Sequence, residues 1–163
     1  MKQSSTLFLK IAVIFIGMPV LALCLFLLPQ IAIEASEAAK RGIDIAYVVY
    51  GLLLVMYISA IPFYFALYQS FKLLNYIDRN EAFSELSVKA LNKIKKSAII
   101  ISGLYVVALP LVYILAEKDD APGLILIGLV LIFAPMVIAV FAAVLQKLLK
   151  NAIDIKSEND LTV

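Results

Sequence analysis

The chain contains no histidine, no tryptophan and a single cysteine among its 163 residues. Histidine is the commonest general base near neutral pH and a frequent metal ligand, so its absence removes the usual centre of acid–base and zinc chemistry. One cysteine, Cys24, can form neither an internal disulfide nor a thiolate metal site. We interpret Cys24 as a small buried apolar residue.

Short motifs for catalysis are missing as well. The sequence has neither a glycine-rich phosphate loop nor a nucleophile elbow. Intramembrane proteases and proton-coupled pumps place ionisable groups inside apolar runs, whereas Lys10 and Glu34 lie only at the edges of such runs. We therefore predict that the protein is not an enzyme and that it has no catalytic residue, no cofactor and no bound metal.

Apolar side chains are what the sequence has in excess: they make up 64% of it, and the mean hydropathy is +1.02. Runs of about 18 or more apolar residues are typical of transmembrane helices, and continuous rather than alternating runs argue against barrel strands. We predict an all-α membrane protein, a four-transmembrane-helix bundle with cytoplasmic helical extensions. Its single domain, 1–163, has spans at about 7–33, 45–71, 98–116 and 121–149, a loop at 72–97 and a tail at 150–163.

Basic residues are distributed unevenly between the two ends of these spans. Eleven of the fourteen lie in the N-terminal segment, the loop 72–97 and the region from 147 onward, and three lie in the connections at the other end. Lysine and arginine in short loops favour the cytoplasmic side of a membrane. We predict that both termini and the loop are cytoplasmic, and that the asymmetry reflects membrane orientation rather than nucleic-acid binding.

The loop carries an amphipathic pattern between 84 and 96. Apolar residues recur there at helical spacing, and Ser84 is a good N-cap for the helix. Two interpretations fit the basic opposite face, namely contact with anionic headgroups and simple anchoring on the cytoplasmic side. The apolar face consists of Leu86, Ala90, Leu91 and Ile94, and the basic face of Lys89, Lys93 and Lys96.

The fourth helix is expected to continue to about residue 156, ahead of an acidic tail. Segments 84–96 and 146–163 together predict a cytoplasmic platform. The tail either docks on the lysines of its own chain, stays disordered, or presents its end to a partner. The candidate partner-binding residues of the platform are Lys89, Lys93, Lys96, Glu158, Asp160 and Val163.

Tyrosines form a stripe along the second span, at intervals of seven residues and then four. At about 3.6 residues per turn this spacing places them on one helix face. A buried tyrosine hydroxyl needs a partner, so the stripe is either a seam that binds an amphipathic ligand or helix, or internal packing with interhelical hydrogen bonds. We favour packing. The stripe consists of Tyr50, Tyr57, Tyr64 and Tyr68.

Each span also contains proline, which frees a backbone carbonyl and can kink a helix. Such prolines suit either hinged helices or fitted kinks in a static bundle, and we favour the static bundle. In the connection before the fourth span, Asp120 is a candidate N-cap and Pro122 fits a first helical turn. The prolines within the spans are Pro19, Pro29, Pro62, Pro110 and Pro135.

Four stretches of the sequence resemble a known family: 60–64 (Ala-Ile-Pro-Phe-Tyr), 82–84 (Ala-Phe-Ser), 119–123 (Asp-Asp-Ala-Pro-Gly) and the ending 158–163 (Glu-Asn-Asp-Leu-Thr-Val). Over its whole length the chain resembles the bacterial domain-of-unknown-function 2975 family of small four-span membrane proteins. The resemblance implies a location in the bacterial plasma membrane and relatives encoded beside a small helix-turn-helix regulator. It implies no catalytic residue.

Three functions are compatible with these features. The leading hypothesis is a non-enzymatic regulatory or interaction protein whose platform engages a cytoplasmic partner, such as a small helix-turn-helix regulator. One alternative is a small transporter or exporter that works as a homo-oligomer, although the chain lacks the membrane-embedded glutamate of the four-span multidrug exporters. Another is immunity against a membrane-active toxin. The expected partners are therefore the lipid bilayer and a cytoplasmic protein, without direct contact to nucleic acid.

Overall fold

The computed structural model describes residues 2–161, which form five α-helices and one π-helical turn. Helix α1 covers Lys2–Ala22, the π-helical turn Leu23–Leu27, and α2 Leu28–Lys40. Helices α3, α4 and α5 cover Ile45–Asp78, Glu85–Lys118 and Gly123–Leu161. The described chain contains no strand, so the prediction of an all-α protein is confirmed.

Four helical segments are long and apolar enough to cross a membrane. The first span, Ser5–Lys40, joins α1, the π-helical turn and α2 into one continuous rod, and the other three are α3, α4 and α5. This count confirms the prediction of four spans. Continuous helices suit a bilayer because each one bonds its own backbone groups where no water can reach them.

The helices extend well beyond the apolar runs that define the spans. Helix α4 begins at Glu85, so the amphipathic segment and the third span are one rod of 34 residues. Such a rod is about 50 Å long, against about 30 Å of hydrocarbon. Helix α5 likewise continues to Leu161, past the end near residue 156 that the sequence suggests. Charged residues do not end these helices because an exposed helix face tolerates them.

The helix boundaries follow local backbone chemistry. Ser84 is the N-cap of α4, as predicted, and its side chain accepts a hydrogen bond from the amide of Ser87. Asp120 is not an N-cap: its φ of 51° is left-handed, and the next amide, that of Ala121, bonds back to the carbonyl of Ala116 at 2.8 Å. Asp120 therefore closes α4, as left-handed residues commonly do at helix C-termini.

The four spans pack in chain order. The first span contacts α3, α3 contacts α4, and α4 contacts α5, while the first span and α5 share no extensive packing. One glycine allows close approach at each of these three contacts. A Cβ at Gly17, Gly51 or Gly128 would lie 3.2, 2.9 or 3.3 Å from a leucine methyl group of the neighbouring helix. Small residues of this kind are how membrane helices approach each other closely.

We predict that Gly51→Leu destabilises the bundle by about 1–3 kcal/mol, because the added side chain overpacks the contact with Leu111 on α4. The measurement is the thermal unfolding midpoint in detergent. Gly103→Leu is the matched control, since a Cβ at that exposed position meets nothing within 4 Å. Equal midpoints for the two variants would contradict this account of the contact between α3 and α4.

Candidate functional sites

The predicted basic face of the platform is exposed in the structure. Lys89, Lys93 and Lys96 all lie on the solvent side of α4. The opposite face packs inside the bundle, but it is rotated from the predicted one: Leu86 is 47% exposed, whereas Ser87 is fully buried. Segment 84–96 is thus held within the bundle, because it is the start of the long helix α4 that contains the third span. The buried residues of this segment are Ser87, Val88, Ala90 and Leu91.

Helices α4 and α5 are joined at the same end of the bundle. The Nζ of Lys95 donates a hydrogen bond to Oε1 of Gln146 at 3.3 Å, which places these positions level with each other. At 1.5 Å per residue, Glu158 lies about 18 Å further along α5. Glu158 and Asp160 are both exposed on this helical end. Val163, the last candidate residue, lies outside the described residues.

One ion pair is present among the side chains that the structure describes, and it does not involve the tail. Lys10 and Asp78 are 2.6 Å apart, each less than one-fifth exposed, and Thr6 donates a hydrogen bond to the other carboxylate oxygen of Asp78. The same ammonium lies 5.5 Å from the ring centre of Phe71. These contacts fasten the start of the first span to the end of α3. The carboxylate of Asp78 at a helix C-terminus opposes the helix dipole, and Lys10 offsets that cost.

The tyrosine stripe faces the first span. Tyr57 donates a hydrogen bond to the carbonyl of Cys24 at 2.8 Å, and Tyr64 donates one to the carbonyl of Gly17 at 2.8 Å. Tyr68 is exposed, with the ammonium of Lys72 at 5.3 Å from its ring centre, and Tyr50 is half-buried. The two central hydroxyls are therefore used in interhelical hydrogen bonds.

The bond from Tyr57 has a specific cause in the first span. In the π-helical turn the amide of Leu28 bonds to the carbonyl of Leu23, five residues back. By the same spacing of five residues, the carbonyl of Cys24 would accept a hydrogen bond from the amide of residue 29. That residue is proline, which has no N–H. The hydroxyl of Tyr57 supplies the missing donor. Between α4 and α5, the hydroxyl of Ser102 on α4 donates a hydrogen bond to the carbonyl of Ile132 on α5, three residues before Pro135, at 2.8 Å.

A cavity of about 480 Å³ lies between the four spans. Residues within 16–28 of the first span, 56–70 of α3, 94–105 of α4 and 130–138 of α5 line it, and almost all of them are apolar. Its floor is the contact between α3 and α4. Its two walls are the first span and α5, which share no extensive packing. The volume is in the range of small-molecule sites, about 300–1,000 Å³.

The principal polar pair in this cavity is Ser59 with Tyr105, whose oxygen atoms are 2.9 Å apart. Ser59 donates its own hydrogen to the carbonyl of Met56 at 2.8 Å, so Tyr105 is the donor to Ser59. The pair links α3 to α4 and is satisfied without a ligand. Sequence reasoning missed Tyr105 because it stands alone on α4, with no stripe to mark its face.

The comparisons agree with this architecture. Residues 10–163 match the family described as "Protein of unknown function (DUF2975)". The chain belongs to this family. It is also similar to the "Uncharacterized membrane protein YoaS" of Bacillus subtilis (strain 168), with 62% identity over 163 residues and 100% of both chains covered. No solved structure matches the chain significantly. The family resemblance expected from the sequence is confirmed, and the chain is a membrane protein.

We predict that Tyr57→Phe lowers the free energy of unfolding by about 1 kcal/mol, because the carbonyl of Cys24 loses its donor. Replacing Pro29 with Ala supplies a new N–H to that turn, so the cost of Tyr57→Phe is expected to shrink in this background. The measurement is a double-mutant cycle from reversible unfolding in mixed micelles.

Tyr113→Phe is the control for that cycle, since Tyr113 is 56% exposed and makes no hydrogen bond to another described residue. We expect no measurable loss from it. An equal cost of Tyr57→Phe with and without Pro29 would show that the freed carbonyl is not what the hydroxyl stabilises.

We predict that Asp78→Asn lowers the thermal midpoint, because it leaves Lys10 partly buried without its counterion. The exchanged pair, Lys10→Asp with Asp78→Lys, is expected to recover part of the loss, and a lysine at position 78 also suits the dipole at the C-terminus of α3. The measurement is the thermal unfolding midpoint in detergent of the wild type, Asp78→Asn, Lys10→Asp, Asp78→Lys and the exchanged double variant. If the double variant loses as much stability as Lys10→Asp and Asp78→Lys lose in total, the two side chains do not pair directly.

Proposed function

We propose that this protein is a multi-pass plasma-membrane protein that binds a cytoplasmic protein partner through the basic end of its bundle. The basic end is defined here by segment 84–96 of α4 and segment 146–161 of α5. The proposed role is regulatory or tethering and not enzymatic. A small helix-turn-helix regulator is the partner class that the family resemblance implies.

One observation carries the proposal. Charges of both signs lie exposed on two helices that are held side by side, and among the described side chains they do not neutralise each other. Lys95 and Gln146 fix the relative position of α4 and α5 at this end. Rigid helices present side chains with less loss of entropy on binding than a disordered tail does. The surface is therefore suited to binding a protein of mixed charge.

The proposed orientation rests on charge. Lysine and arginine are concentrated at this end of all four spans, which favours the cytoplasmic side. The short connections at the other end, 41–44 and 119–122, offer little surface for a partner. A cytoplasmic partner thus has far more protein to contact than an extracellular one.

We predict that neutralising the basic face, with Lys89→Gln, Lys93→Gln and Lys96→Gln, reduces recovery of a cytoplasmic partner by at least tenfold. A chain ending at Ser157 is expected to lose the partner as well, because it removes Glu158 and Asp160. The measurement is crosslinking in cells, affinity purification from native membranes and quantitative mass spectrometry.

The matched control neutralises the same number of exposed charges at the other end, with Lys40→Gln, Arg41→Gln and Lys118→Gln. This control is expected to leave partner recovery unchanged, and surface labelling would verify that all variants keep the same orientation. Recovery of no protein other than the chain itself, or unchanged recovery in both platform variants, would overturn the proposal.

A further inference from the structure

We propose that the cavity between the first span and α5 is a binding site for one acyl chain of an anionic phospholipid, with the headgroup at the basic end of the bundle. The site lies in the interior of the spans and does not rest on the protein partner, although it shares Lys93 with the surface proposed to bind that partner.

The cavity is long and narrow. Its lining on α3 extends over 56–70, which is about 21 Å at 1.5 Å per residue, and on α4 over 94–105, about 16 Å. A volume of about 480 Å³ spread along about 20 Å of helix makes the cavity a groove rather than a wide chamber. An extended hydrocarbon chain fits this shape.

The cavity opens sideways, toward the acyl chains of the bilayer. Its walls are the first span and α5, which share no extensive packing that would close it. Leu131, Ala134 and Ile138 of α5 line the cavity and are themselves exposed. A lipid therefore has lateral access without any movement of the helices, and the apolar lining matches a hydrocarbon chain.

On α3 and α4 the cavity is displaced toward the basic end, whereas on the first span and α5 its lining is central in the apolar run. On α3 its lining ends at Ser70, two residues before Lys72, but it begins at Met56, twelve residues after Asp44. On α4 the lining begins at Ile94, directly between two lysines. A chain in this cavity thus belongs to a lipid of the leaflet at the basic end.

Charge selects the class of headgroup. Lys93 and Lys95 flank Ile94 at the end of the cavity. Lys95 also donates a hydrogen bond to Gln146, but neither lysine is in an ion pair among the described side chains. Basic groups between membrane helices at the cytoplasmic side bind anionic headgroups. The site therefore combines an apolar slot for one tail with cations where the phosphate of that lipid would lie.

The test uses the full-length protein and native mass spectrometry, with phosphatidylglycerol and phosphatidylcholine as the two probes. We expect one phosphatidylglycerol to bind per chain. Ala134→Phe, which fills the cavity, is expected to weaken that binding at least tenfold. Val137→Phe adds the same ring to the exposed side of α5 that does not line the cavity, and it is expected to leave binding unchanged.

Headgroup selection has its own variant. Lys93→Gln with Lys95→Gln is expected to reduce the preference for phosphatidylglycerol over phosphatidylcholine about tenfold. Equal binding of the two lipids by the wild type would overturn the anionic part of the proposal. Equal phosphatidylglycerol binding by Ala134→Phe and Val137→Phe would overturn the site itself.

A second measurement does not depend on how the variants fold. Phosphatidylglycerol with a photoreactive group midway along one acyl chain is crosslinked to the wild-type protein in vesicles, and the modified residues are mapped. We expect adducts on Cys24 and Tyr105, which line the cavity from two different helices. Adducts confined to exposed residues outside the cavity, such as Val137 and Val140, would show that lipid only surrounds the bundle.

Discussion

Every backbone carbonyl inside this bundle has to find its hydrogen-bond donor without water, and the arrangement of helices depends on that constraint. In the first span Pro29 removes a donor, and a side chain of the neighbouring helix α3 replaces it. The hydroxyl of Tyr57 donates a hydrogen bond to the carbonyl of Cys24, five residues before Pro29. The same bond joins the first span to α3, so a local defect in one helix fixes the position of the next.

Packing in chain order has a second consequence for the interior. Each helix is matched to the one that follows it, through a glycine contact and a hydrogen bond from a side-chain hydroxyl. The first span and α5 have no such match, and the cavity lies between them. The bundle is therefore a curved row of helices whose two ends do not meet. In a bilayer this space is in contact with hydrocarbon, not with water.

Much of the fold follows from local sequence. Continuous apolar runs predict the four spans, Ser84 begins α4 as its side chain suggests, and the spacing of Tyr57 and Tyr64 places both on one face of α3. The remainder depends on which helices are neighbours. The pairing of Lys10 with Asp78 joins residues 68 positions apart. Tyr105 belongs to the cavity only because α4 forms its floor. Asp120 could either end α4 in a left-handed conformation or cap the start of α5. Its residue type is compatible with both roles and does not decide between them.

The three connections between spans are short, and each carries or adjoins a basic residue. Residues 41–44, 79–84 and 119–122 are the only non-helical stretches of the described chain. Arg41 and Arg79 lie in the first two, and Lys118 directly precedes the third. Proteases cut extended backbone far more readily than helix. Trypsin added to one side of sealed vesicles therefore cleaves after Arg79 or after Arg41 and Lys118, but not both, and the fragment pattern records which way the bundle was inserted.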